Sequence, residues 1–271
     1  MAHDHDTPSK LEISTYALLP VSVMLFIEMV ANHYFAPQHA IFVSPYLLAF
    51  FTTCLVSFIV LWKGQICPGQ TGRLTFVLPF LFVFALGNFL YSVGFTPKHS
   101  PALVAGAASL ILPFIYWKLP EQTDIRHTVI YCGLGIIAVG IVQYLAIYWI
   151  ELPSLLNWIR ANNFAQMLLG VLLAGWYLVL AKSRLEGFLK LLVLIALGFL
   201  MMNYIWVIFV LYQELNVMPD TVLLPYFIFF AVQFVILAML AWLLLGKSIK
   251  NPTAWTIATF LAMLYPLTNI V

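Results

Sequence analysis

Residues 20–39 read PVSVMLFIEMVANHYFAPQH, and the fold turns on this stretch. Its apolar run extends back to about residue 14, giving the roughly 20 residues that a helix needs to cross hydrocarbon. Inside the run stands Glu28, and no other carboxylate of the chain is so placed. An ionised carboxylate at that depth costs at least about 3 kcal/mol unless it is protonated, paired or facing water. Such an acid is therefore a functional-site hypothesis, and the segment around it is a membrane span.

The rest of the chain agrees. Of 271 residues, 63% are hydrophobic and 8% charged, against about 45–50% and 25% in a soluble domain. The expectation is all-α: a polytopic membrane helix bundle in one domain, residues 14–271, behind a short polar tail, residues 1–13. A net charge of +2, with scattered Lys and Arg, gives no footprint for nucleic acid. Cys54 and Cys132 fall in apolar runs and Cys67 in a loop, without CxxC spacing, which argues against a disulfide framework or a zinc cluster. The opening MAHDHDTPSKLEIS lacks the basic region and cleavage site of a signal peptide and reads as a retained, solvated tail.

Nine spans follow, at about residues 14–35, 43–62, 74–95, 102–117, 128–149, 164–181, 188–212, 222–245 and 253–270. Residues 64–72, with PGQTG, read as a loop, and ELPSLLNWIRANN, residues 151–163, as a short interfacial helix between crossings. Pro20, Pro79, Pro113 and Pro225 are expected to kink or interrupt their spans. With the N-terminus cytoplasmic, Lys10, Lys63, Arg73, Lys118, Arg126, Lys182, Arg184, Lys190, Lys247 and Lys250 lie inside, and only Lys98 and Arg160 outside. A wrong helix count would scramble this split, so the positive-inside rule places the C-terminus outside. Trp117, Trp149, Trp158, Trp242 and Trp255 lie near span ends and read as an interfacial belt.

Five polar residues from five spans fall at similar depth: Glu28, Asn88, Gln143, Asn203 and Gln233. They could converge on a cavity opening outward, or be buried in separate helix contacts. Asn32, four residues after Glu28, shares its helix face, while His33 points elsewhere. His33, His39 and His99 all fall on the outer side, but their spacing fits no helical metal motif, so they are only weak metal candidates. Ala102 with Gly106, Gly170 with Ala174, and the set Gly133, Gly135 and Gly140 suggest close helix packing.

FALGNFLY, residues 84–91, can be set beside IALGFLMM, residues 195–202, which aligns spans two to five with six to nine as parallel repeats. Residues 101–145 carry a small-residue helix with Pro113, a Glu121 loop and a Gly133, Gly140 helix. Residues 223–267 carry LLPYF and AWLLLGKSIKNPTAW. These two stretches resemble the drug/metabolite transporter superfamily, the EamA-like proteins. The resemblance implies a metabolite or drug carrier with ten helices in two inverted halves. The chain departs from it in its nine spans, in an inside last loop, and in Lys247 where a glutamate is common.

On these grounds the expected function is a secondary transporter in the bacterial inner (cell) membrane, moving a small organic solute with a proton or ion coupled through Glu28. The site would be Glu28, Asn32, Asn88, Gln143, Asn203 and Gln233. One alternative is a non-catalytic subunit or assembly factor, as homo-oligomer or complex partner, which needs only packing surfaces. The other is an intramembrane lipid-modifying enzyme, for which the spans offer no acidic pair, HExxH or clustered arginines. The sequence names no cofactor.

Overall fold

The computed structural model describes residues 9–35, 44–64, 66–95, 99–120, 122–151, 162–218, 221–246 and 249–269. These form nine helices and no strand: α1 (Lys10–Phe35), α2 (Leu47–Lys63), α3 (Pro68–Gly94), α4 (Ser100–Trp117), α5 (Thr123–Glu151), α6 (Asn163–Leu180), α7 (Glu186–Val217), α8 (Leu224–Leu245) and α9 (Pro252–Met263). Seven are long and apolar enough to span a membrane. The other two are α2, with 17 residues, and α9, with 12 residues and a 3-10 turn (Tyr265–Asn269) beyond it. The chain is an integral, multi-pass membrane protein.

The helix starts follow local chemistry. In α1 the Ser9 amide donates to Glu12 Oε2 at 2.6 Å, and the Glu12 amide donates to Ser9 Oγ at 3.2 Å. This reciprocal capping box begins the helix at Lys10, four residues before the expected start. Pro68 sits in the first turn of α3, where its missing N–H costs nothing. The PGQTG segment therefore opens a helix instead of a loop. Pro225 does the same for α8, which starts at Leu224, so it interrupts no span. Pro79 does interrupt one: a 3-10 turn (Leu78–Phe80) divides α3 into Pro68–Val77 and Leu81–Gly94. Helices α1 and α4 run unbroken through Pro20 and Pro113.

The core is built on α2 and α6. In α6, 72% of the span is buried, against 28–39% in the other six, as expected of a helix that is apolar all round. Its Gly170 lets the two backbones meet: a Cβ there would lie 2.5 Å from Thr52 and 2.6 Å from the Ala49 carbonyl oxygen. Thr53 Oγ1 also donates to the Gly170 carbonyl at 3.1 Å. Since Leu48 pairs with Gln166 and Thr53 with Gly170, the two helices run parallel. On its other side α2 sets Phe51 onto Gly140 and Phe58 onto Gly133 of α5, a seven-residue register that runs antiparallel.

Around this pair, α3, α4, α5 and α2 pack in succession, and α7, α8, α9 and α6 do likewise, while α1 lies against α3 and α6. The two quartets share this neighbour order, as a parallel alignment of spans two to five with six to nine would have it, except that α6 also packs on α7 whereas α2 does not pack comparably on α3. Trp255 departs from the expected belt. It is wholly buried in α9, packs on Gly175 of α6 and donates to the Ile249 carbonyl at 2.8 Å. Trp117 and Trp242 are exposed, as lipid-facing belt residues are. The interfacial helix expected at residues 151–163 falls largely outside the described residues.

Candidate functional site

Glu28 continues the buried stripe of α1, after Ala17, Val21 and Met24 at seven-residue heptad spacing. It is 1% exposed. The stripe turns its carboxyl toward the start of α2, where Ser44 Oγ donates to Glu28 Oε2 at 2.5 Å. The same Oγ accepts from the Tyr46 amide at 3.2 Å, so the only hydroxyl proton is committed to the carboxylate.

Residues 44–48 are a hub. Tyr46 Oη donates to the Met263 carbonyl at 2.6 Å, and Tyr265 Oη donates back to the Pro45 carbonyl. Their rings meet edge to face, with centroids 6.1 Å apart. This clasp satisfies the carbonyl that ends α9 and ties it to the segment leading into α2. Leu48, an early α2 residue whose amide has no intrahelical partner, donates to Gln166 Oε1 at 3.0 Å. Gln166 Nε2 donates to Tyr144 Oη at 2.7 Å, and Tyr144 Oη to Asn163 Oδ1 at 2.8 Å. Asn162 caps α6 through the Phe164 and Ala165 amides, both at 3.1 Å, and donates to Asn203 Oδ1 of α7 at 2.5 Å. The N-termini of the two central helices thus share one buried polar layer.

The expected site residues meet different fates here. Glu28, Asn88, Asn203 and Gln233 are all buried. Asn88 Nδ2, Asn203 Nδ2 and Gln233 Oε1 have no hydrogen-bond partner among the described residues. Gln143 is only half-buried, and the polar member of α5 in the layer is its neighbour Tyr144, whose position falls on the buried stripe. Asn32 donates to the Glu28 backbone carbonyl at 2.9 Å, a bond within the helix that does not reach the carboxylate. His33 is exposed and packs on Tyr34, and His99 stands at the N-cap position of α4 without its side chain bonding the first-turn amides; His39 lies outside the described residues. Among the described residues, no three His, Cys, Asp or Glu side chains come together as a metal site. Ser44, Tyr46, Tyr144, Gln166, Asn162 and Tyr265 were not legible as site residues. A signal was available only for Ser44 and Tyr46: Ser44-Pro45-Tyr46 is a helix-start pattern inside the stretch read as the second span.

The electrostatics of the layer are lopsided. Among the described residues no Lys, Arg or His is bonded to Glu28, and the groups within its electrostatic reach include the phenols of Tyr46, Tyr91 and Tyr265. Neutral phenols and a serine can orient a carboxylate but cannot neutralise it. Partial compensation comes from the dipole of α2, whose N-terminus lies beside Ser44. Full compensation requires a proton or another cation at Glu28.

A helical bundle with a buried carboxyl of this kind defines a polytopic membrane protein with an internal polar layer. Within that class, the chain belongs to the integral membrane domain family, which it matches over residues 6–271. It is 31% identical over 264 residues to an uncharacterized protein of Haemophilus influenzae, covering 96% of each chain. No solved structure matches. The family match corrects the resemblance to the drug/metabolite transporters. The small residues, prolines and turns that carried that resemblance are those that any close-packed membrane helices produce, as the Gly133 and Gly140 contacts with phenylalanine illustrate.

Proposed function

We propose that the protein is a secondary transporter of a small organic solute in the bacterial inner (cell) membrane, coupled to a proton or cation that binds at Glu28. The observation that carries this reading is a buried carboxyl held by a serine hydroxyl, with no basic partner among the described residues. Such a group changes its charge only by exchanging a cation, which is what a coupling site does. The unpartnered Asn88, Asn203 and Gln233 atoms supply two donors and one acceptor for a polar solute on the inward faces of three helices. Buried orphans of this kind are rare in a native fold, and a polar solute that comes and goes would satisfy them.

The test is solute flux into proteoliposomes under an imposed pH gradient. Glu28→Gln keeps the size and hydrogen-bonding capacity of the side chain and removes its exchangeable charge. Flux of a transported solute should lose its response to the gradient in this variant, with insertion unchanged. Undiminished gradient-driven flux would remove Glu28 from the mechanism.

The subunit reading draws on a different observation: Tyr46, Tyr265 and Gln166 all bond backbone groups, as staples of a structural element would. Stoichiometric partner chains copurifying with the protein would favour it.

A further inference from the structure

At the opposite end of the bundle, α1, α6 and α9 enclose a groove of about 720 Å³. One part of its wall is apolar, including Ile13, Val179 and Ile257, and another bears Lys182 and Lys250. Lys250 is committed to Glu186, with Nζ 2.7 Å from Oε1. Lys182 has no carboxylate partner among the described residues. Its backbone is also unusual: φ is 52°, the only positive value outside glycine among the described residues. The Lys182 amide donates to the Val179 carbonyl and the Ser183 amide to the Leu178 carbonyl, both at 2.9 Å. This is a Schellman ending for α6, and Lys182 occupies the left-handed position that glycine normally takes. A strained residue at a ligand-facing position, where an unstrained one would serve the fold better, points to a role for its side chain. Trp176 lines the same groove at 5% exposure, and its indole N–H has no acceptor among the described residues.

We infer that this groove binds an anionic phospholipid of the inner leaflet, with the headgroup phosphate at Lys182 and an acyl chain along the apolar wall. The charge pattern places this end of the bundle inside, where basic pockets between spans meet anionic headgroups. The inference stands on residues remote from Glu28 and does not depend on transport.

Native mass spectrometry in detergent, with phosphatidylglycerol and phosphatidylcholine of matched chains, tests it. The wild-type protein should bind the first phosphatidylglycerol about fivefold more tightly, the scale of one lysine near an anionic surface. Lys182→Gly should erase this preference while its Tm in lipid-free detergent stays at or above wild type, because glycine suits the left-handed position. Lys182→Arg should keep the preference. Equal affinity for the two lipids in the wild type, or a preference that survives in Lys182→Gly, would overturn the inference. So would displacement of the lipid by inorganic phosphate alone, which would mark a site for a free anion.

Discussion

Ser44 has one hydroxyl proton and gives it to Glu28, while Tyr46 and Tyr265 spend theirs on backbone carbonyls across the α9 end. Removing the Tyr46 phenol leaves the buried Met263 carbonyl without its partner, and removing that of Tyr265 does the same to the half-buried Pro45 carbonyl, at about 1–3 kcal/mol. Tyr46→Phe and Tyr265→Phe should each lower unfolding stability in detergent by that amount. Because the two bonds close one loop between the same segments, the double variant should cost less than the sum. Additive losses would mean that the clasp does not act as a unit. Glu28 was legible in the sequence because a carboxylate in an apolar run has no ordinary explanation. The tyrosines were not, because a phenol is amphipathic and fits a lipid interface equally well, and its acceptor is a carbonyl that leaves no mark in the sequence. Gln143 was misplaced beside Tyr144 for a related reason: amide polarity was easy to see, whereas the stripe position that decides burial belonged to the next residue.

At the scale of the elements, hydropathy located all nine helices but not their ends. Capping by Ser9 and Glu12 and helix starts at Pro68 and Pro225 moved the boundaries, since a proline in a first turn resembles a loop or a kink until the turn is known. The small-residue pattern marked close packing at Gly106, Gly133, Gly140 and Gly170 but not at Gly135, which faces open space, and it could not say which helices met. That contact now supports a graded test. Gly170→Val inserts carbon where Thr52 and the Ala49 carbonyl already stand and should cost about 1–3 kcal/mol of stability. Gly135→Ala, with nothing within 4 Å of the added carbon, should be neutral or stabilising by up to about 1 kcal/mol. Thermal unfolding of the two variants in one detergent checks both.

For the whole molecule, the ten-to-two division of Lys and Arg predicts a cytoplasmic N-terminus by the positive-inside rule, and the parallel run of α2 and α6 requires an even number of crossings from one to the other, which α3, α4, α5 and α6 provide. A membrane-impermeant maleimide should therefore label Cys67, exposed between α2 and α3, only from the cytoplasmic side. A reporter fused to the C-terminus should be active only outside. Labelling of Cys67 from outside would invert the topology. In that topology the layer around Glu28 lies in the outer half of the bundle and the lysine groove at the inner end, so the two sites can be probed separately. The most direct measurement of the central claim is uptake from a panel of small organic solutes into proteoliposomes, with and without a pH gradient, for wild type and Glu28→Gln side by side. The account predicts uptake that the gradient drives in the wild type and leaves unchanged in the variant; gradient-driven uptake of equal size in both would contradict it.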